Sequence, residues 1–262
     1  MAINKKHPGY LVETCLLTFG LVSLQNETLL GGWDLPEATF CWLDKGEIIM
    51  GSLAEYLPFR ASMPQGKFSC DMLELAIVQK QSGAFTASAT MEVCRRYGIP
   101  YAVSCGIGGI GEIKGEEVCM DLPALRDLPV TLIATSPKDM LDIPATIAWL
   151  QQAGVSILGE GQDFCDGFLF PGDRVPLSGT WQEGMNKPPL LILRSIAEGL
   201  RLQDRSLLEQ AVAQAKEVER RGGYYHPAAN AALDRLSDGY TSQLQFQSLL
   251  ANAHFAARLA KG

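Results

Sequence analysis

The sequence predicts an α/β fold with helices packed on both faces of a sheet. Short apolar runs closed by glycine or polar residues alternate with longer segments whose apolar residues recur at helical spacing. Hydrophobic residues make up 47% of the 262 and charged residues 19%, which suits a packed interior and excludes a disordered chain. With no internal repeat and no low-complexity tract, residues 1–262 read as a single domain.

In chain order, Tyr10–Thr18 is the first buried strand. Met72–Gln81 and Thr86–Tyr97 are helices, the second opened by Ser and Thr and stopped by Gly98-Ile99-Pro100. Pro100–Cys105, Pro129–Ala134 and Val155–Leu158 are further buried strands, and Ile143–Ala153 is a helix ending at Gly154. The stretch Gly159–Pro189, rich in Gly, Pro and Asp, reads as irregular. Asp204–Arg221 places apolar residues at 207, 208, 211, 212, 215 and 218, a helix face that closes with Gly222-Gly223. Thr241–Ala260 is a last amphipathic helix.

The net charge of −7 and the scattered basic residues exclude nucleic acid and anionic membrane as partners, so an anionic ligand needs a local site. Seven cysteines (15, 41, 70, 94, 105, 119 and 165) show no zinc spacing and read as free thiols in a reducing compartment. The polar segment Met1 to Tyr10 is too short for a signal peptide, and no apolar run approaches the ~20 residues of a membrane span. The expectation is a soluble, cytoplasmic protein. His7, His226 and His254 show neither metal spacing nor a nucleophilic triad and read as structural or exposed.

Three features carry possible chemistry. A buried strand runs into a loop with glycines at 106, 108, 109 and 111, where backbone N–H groups can approach an anion closely. It meets neither the Rossmann nor the P-loop spacing, and reads equally as a phosphate cradle or a tight turn. Lys138 follows the strand ending at Ala134, at the edge of the sheet where α/β folds bind ligands. It reads either as a surface lysine at a helix start or as a desolvated amine able to attack a carbonyl. Glu13 falls within an apolar strand, on the side of Leu11 and Cys15 by alternation; a buried carboxylate there is costly unless paired or functional.

Ser82–Met91, Gly106-Ile-Gly-Gly109 and Ser136-Pro-Lys138 with Leu141-Asp142 together resemble the pseudouridine-5′-phosphate glycosidases of the indigoidine synthase A-like family. Val12-Glu13-Thr14 with Gly20 and Gln25-Asn26 resembles the family's opening, and Ser242–Gln245 with Asn252-Ala253 its closing helix. The resemblance covers roughly residues 10 to 260. It implies a three-layer α/β/α fold with a mixed central sheet, a homotrimer, and reversible cleavage of pseudouridine 5′-phosphate to uracil and ribose 5-phosphate. Lys138 would then form an imine with ribose C1, and Glu13 would move protons. Lys67, Thr86, Ala87, Gly106, Gly108 and Gly109 would contact substrate or wall the pocket, and Asp121 would hold a divalent metal, usually manganese. The chemistry is coherent: a C–C glycosidic bond has no heteroatom leaving group, and an imine supplies the electron sink that cleavage requires.

The sequence departs from the family at Phe19 and Gly111, where histidines are common, and at Gln243, where the family has asparagine. Leu122-Pro-Ala-Leu125 lacks the usual Ser and Asp, and a helix is missing from Phe170–Pro188. These losses imply altered recognition: a C-riboside with another base or acceptor is the alternative reading. A degenerate, non-catalytic binding protein is a third, which the joint retention of Glu13, Lys67, Asp121 and Lys138 disfavours.

Overall fold

The computed structural model describes residues 8–62 and 66–261, so His7 and the first residues of the polar N-terminus lie outside it. Among the described residues the framework is a 10-stranded sheet. From one edge it runs Gly179–Thr180, Ser156–Gly159, Leu190–Leu193, Thr131–Ala134, Tyr101–Val103, Tyr10–Val12, Thr39–Asp44, Gly83–Phe85 and Gly66–Phe68, with Glu47–Gly51 paired to Thr39–Asp44. Pairing is parallel as far as Thr39–Asp44, which meets both Glu47–Gly51 and Gly83–Phe85 antiparallel. The sheet is therefore mixed, as expected.

Alternation along each strand divides the core in two. Tyr10, Val12, Tyr101, Val103, Leu190 and Ile192 pack on one face against the long C-terminal helix Tyr240–Leu259 and the segments Leu16–Gly20 and Leu53–Ala61. Leu11, Ala102, Leu132, Leu191 and Leu193 face the other way, onto helices Leu73–Val78, Ala87–Tyr97, Asp121–Asp127 and Ile143–Gln152. Three layers result because the parallel strands are apolar on both sides and both must be covered.

Two sequence expectations require correction. The first strand ends at Val12, and Leu16–Gly20 is a single π-helical turn. Past Val12 the chain leaves the ladder because the Thr14 side chain takes over its bonds: Oγ1 donates to the Cys41 carbonyl at 2.8 Å and accepts from the Phe85 N–H at 3.0 Å. An apolar run does not distinguish a buried strand from a buried turn. Helix Met72–Gln81 is also shorter, spanning Leu73–Val78. The stretch Gly159–Pro189 holds two-residue strands and no helix.

The π-helical turn is secured by Arg60, whose guanidinium donates to the carbonyls of Leu17, Leu21 and Leu24 and to Asn26 Oδ1. Arg60→Ala strands these acceptors, and should lower unfolding free energy by about 2 to 3 kcal/mol in urea titration. Arg60→Lys should recover only part of this, since one ammonium cannot reach all four acceptors.

Candidate active site

The site forms where three adjacent parallel strands end. Val12, Val103 and Ile133 lie in register, so the residues that follow leave the sheet side by side. Glu13 N–H donates to Val103 O at 3.0 Å and Ser104 N–H to Ile133 O at 2.9 Å. The ladder then continues as a short parallel pair, Gly106–Ile107 with Ser136–Pro137, which carries Lys138 outward and anchors its N–H on Ile107 O at 3.2 Å. Behind them, buried Asn252 donates to Ser104 O at 2.8 Å and to Thr135 Oγ1 at 3.0 Å, tying two of the strand ends together. This is the crevice at the carboxyl ends of strands where open α/β sheets bind ligands.

A cavity of about 380 Å³ opens there, lined by Glu13, Lys67, Thr86, Ala87, Gly106, Gly108, Asp121 and Lys138 among others. Gly109 does not line it. A Cβ at Gly109 would lie 2.4 Å from Thr146 Oγ1, so this glycine is needed for packing onto helix Ile143–Gln152 and not for the pocket wall. Gly108 has a similar constraint from inside the loop, where a Cβ would meet Cys119 Sγ at 2.1 Å.

Glu13 is buried and takes no part in an ion pair among the described residues; the Ser104 hydroxyl donates to its Oε1 at 2.8 Å, and the Cys105 backbone also bonds to the carboxyl. Burial pushes its carboxyl up to about 7, against the opposing pull of the Ser104 hydrogen bond and the Lys138 charge. Alternation placed it with Leu11 and Cys15. Cys15 does share the cavity, whereas Leu11 lies in the core beneath the sheet. Lys138 is half-buried, and neither it nor Lys67 forms an ion pair among the described residues. Burial works against the Lys67 ammonium, but the surrounding acidic groups Cys15, Glu116, Cys119 and Asp121 outweigh it and hold the proton above its ordinary value.

Asp121, buried, uses its carboxylate as a clamp. Oδ1 accepts from Ser88 N–H and Oδ2 from Gly108 N–H, each at 2.9 Å, joining the start of helix Ala87–Tyr97 to the glycine loop. No group of three or more His, Cys, Asp or Glu is arranged to hold a metal ion among the described residues. The donor set fits a hydrated, oxygen-loving divalent ion held through one carboxylate, and does not fit a dedicated protein cage.

Asp139, next to the lysine, accepts from the N–H groups of Phe168, Leu169 and Phe170 at 2.8, 2.7 and 3.2 Å. Burial raises its carboxyl to about 6 in spite of these bonds. The loop it gathers places Phe168 beside Gly106, where a Cβ would meet the Phe168 ring at 2.8 Å and Lys138 Cγ at 3.1 Å. Asp139→Ala should cost about 3 kcal/mol in chemical denaturation by leaving three N–H groups without an acceptor.

Among the cavity-wall residues that sequence reasoning did not assign to the site are Cys15, His226 and Asn230, whereas Phe19, singled out as a departure from the family, does line it. His226, expected to be structural or exposed, is buried and faces the cavity, while His254 is partly exposed and pairs with Asp34 at 2.8 Å. The helix Tyr225–Leu236 that carries His226 and Asn230 has an alanine-rich pattern, and their spacing of four was the available signal.

Residues 38–185, more than half of the chain, match the family described as Indigoidine synthase A like protein. The chain belongs to that family. It is 27% identical over 275 residues to a pseudouridine-5′-phosphate glycosidase of Thermus thermophilus, covering 97% of each protein. A protein of the same name from Legionella pneumophila is 22% identical over 285 residues, covering 99% of this chain and 92% of the relative. Among solved structures, an indigoidine synthase A-like protein from Thermotoga maritima superposes with a TM-score of 0.78 at 19% identity, covering 98% of this chain and 94% of that one. The prealnumycin C-glycosynthase AlnA, solved in complex with ribulose 5-phosphate, superposes with a TM-score of 0.73 at 24% identity, covering 97% and 92%. Both share the three-layer indigoidine synthase A-like fold.

Against that family background, only one of the noted departures faces the cavity. Phe19 lines it. Gly111 packs toward Leu141, Gln243 is exposed on the C-terminal helix, and Leu122 and Leu125 are core residues of Asp121–Asp127. The expectation that these losses gather around the substrate is corrected for all but Phe19.

Proposed function

We propose that this indigoidine synthase A-like chain is an enzyme that breaks and forms the C–C bond between ribose C1 and a ring carbon, with pseudouridine 5′-phosphate as substrate. The observation that carries the reading is the pairing, in one cavity at the strand ends, of a lysine free of ion pairs with a buried carboxyl whose proton is held near neutrality. The Lys138 amine bonds to C1, and the ring oxygen leaves with the proton of Glu13. The C1-bound nitrogen returns a proton to the Glu13 carboxylate, and its freed lone pair forms the C1=N imine as the C1–C bond breaks, which leaves Glu13 able to protonate the departing ring. The electron pair of that bond stays on the ring carbon, which takes up a proton. Water releases ribose 5-phosphate and frees the lysine. Lys67 is suited to the phosphate as a fixed cation, and it lines the cavity together with the start of the 11-residue helix Ala87–Tyr97, whose dipole favours an anion. A divalent ion, manganese by family resemblance, would sit at Asp121 and supply electrostatic stabilisation there.

The test is incubation with pseudouridine 5′-phosphate and manganese, following uracil release, alongside borohydride reduction in the presence of ribose 5-phosphate. Uracil release with a stable adduct on Lys138 is the expected outcome. An adduct without uracil release selects the second reading, a C-riboside bearing a different ring, which Phe19 in the cavity wall favours. Neither adduct nor release overturns both.

A further inference from the structure

Two polar side chains in the cavity have no role in the steps above. His226 and Asn230 lie one turn apart on helix Tyr225–Leu236 and so share a face. They are 5% and 7% exposed. His226 Nδ1 is shut off from solvent with nothing to bond, and the Asn230 amide beside it on the cavity wall makes no hydrogen bond among the described residues. Burying a polar atom unpaired destabilises the empty protein, so the unpaired Nδ1 in a cavity wall, with an unengaged amide one turn away, points to a ligand that completes them.

The chemistry of that ligand follows from what surrounds the two residues. Burial, together with the Lys138 and Lys67 charges, keeps the imidazole proton affinity well below its ordinary value, so the ring is neutral and offers one donor and one acceptor. The amide offers two donors and one acceptor. A neutral pair of this kind does not compete with Lys67 for a phosphate, and two nearby lysines disfavour a cation. Phe19 supplies an aromatic face on the adjoining wall, where a Cβ on its neighbour Gly20 would come within 3.5 Å of Asn230 Nδ2. What remains is a flat, uncharged ring stacked on Phe19.

We propose that His226 and Asn230 are specificity-determining residues that read the edge of the ring joined to ribose C1, selecting a planar, uncharged ring that carries both an N–H or O–H donor and an oxygen acceptor. The proposal rests on the ribosyl reading of the cavity and deepens it. Neither residue is needed for the imine itself.

The experiment measures two things separately. Calorimetry in the presence of ribose 5-phosphate gives affinities for uracil, 1,3-dimethyluracil, 1,3-dihydroxynaphthalene and its dimethyl ether. Borohydride trapping of ribose 5-phosphate on Lys138 gives imine formation. In the natural protein at least one donor-bearing ring should bind about ten-fold or more tightly than its methylated counterpart, as sites built to hydrogen-bond do. His226→Leu and Asn230→Leu should each bring that ratio close to one, His226→Gln should restore part of it, and trapping should stay within about two-fold throughout. A merely structural role would weaken all rings alike and leave the ratio unchanged. The proposal is overturned if both leucine variants keep the discrimination, if the natural protein shows none, or if no ring binds. Failure of the natural protein to trap ribose 5-phosphate sinks the ribosyl reading instead, while the ring ratios still decide the edge-reading role.

Discussion

Lys138→Met is expected to remove borohydride trapping at this position and to lower turnover by on the order of 10⁴-fold or more, because it deletes the amine placed beside Glu13 that the imine requires. Methionine keeps an unbranched stem against Gly106 and Phe168, so the packing that surrounds Lys138 Cγ is preserved and the fold should hold. Lys138→Arg is the sharper control. It retains a positive charge beside Glu13 but has no nucleophilic amine, so it should be as inactive as the methionine variant. Turnover above about a tenth of the natural rate in the arginine variant would show that the charge matters and the imine does not.

The second large effect is at Glu13, where activity and stability should move in opposite directions. Glu13→Gln removes the proton donor and should slow turnover by about 10²- to 10⁴-fold, with loss of the pH dependence centred near 7. Glutamine keeps the shape and can still accept the Ser104 hydroxyl bond. For stability, the folded-state value of about 7 lies above the ordinary 4.5, so the unfolded chain gives up the proton first. The stability contributed by the neutral buried carboxyl is therefore complete below about 4.5 and is lost as pH rises through 7. At pH 8 the natural protein buries an ionised Glu13, and the glutamine variant does not. The variant should be more stable by about 3 kcal/mol at pH 8 and nearly equal at pH 4.5, measured as unfolding free energy in urea. Equal differences at the two pH values would refute the assignment of the raised proton affinity to Glu13.

Much of the frame was legible in advance, and the reasons are local. Pro100–Cys105, Pro129–Ala134 and Val155–Leu158 were recognisable because parallel strands covered on both faces are uniformly apolar, and they match Tyr101–Val103, Thr131–Ala134 and Ser156–Gly159 to within a few residues. Helix Ala87–Tyr97 was marked by its Thr86 cap, which accepts from Ala89 N–H, and by Gly98 in the left-handed region at φ 67°. The hairpin Thr39–Gly51 and helix Tyr225–Leu236 were not foreseen. The first turns on Lys45 and Gly46, both at positive φ, where the usual Asn-Gly or Asp-Gly signal is absent. The second has too few large apolar residues for a strong period.

The sequence by itself determined the α/β class, the chemistry-bearing residue types at 13, 67, 121 and 138, and a glycine-rich loop at 106, 108 and 109, because residue identity, local propensity and motif spacing are properties of the chain alone. Only the tertiary structure decided which of these share a cavity. Lys67 and Asp121 join Glu13 and Lys138 through contacts far apart in sequence, and Gly109 is turned away onto Thr146. It also showed that Asp121 is first a clamp on two backbone N–H groups, and that of the departures at 19, 111 and 243 only Phe19 reaches the cavity. The unpartnered edge of His226 and Asn230 belongs to the same class of fact. Whether a polar atom is satisfied depends on everything packed around it, and no local pattern in the sequence encodes that.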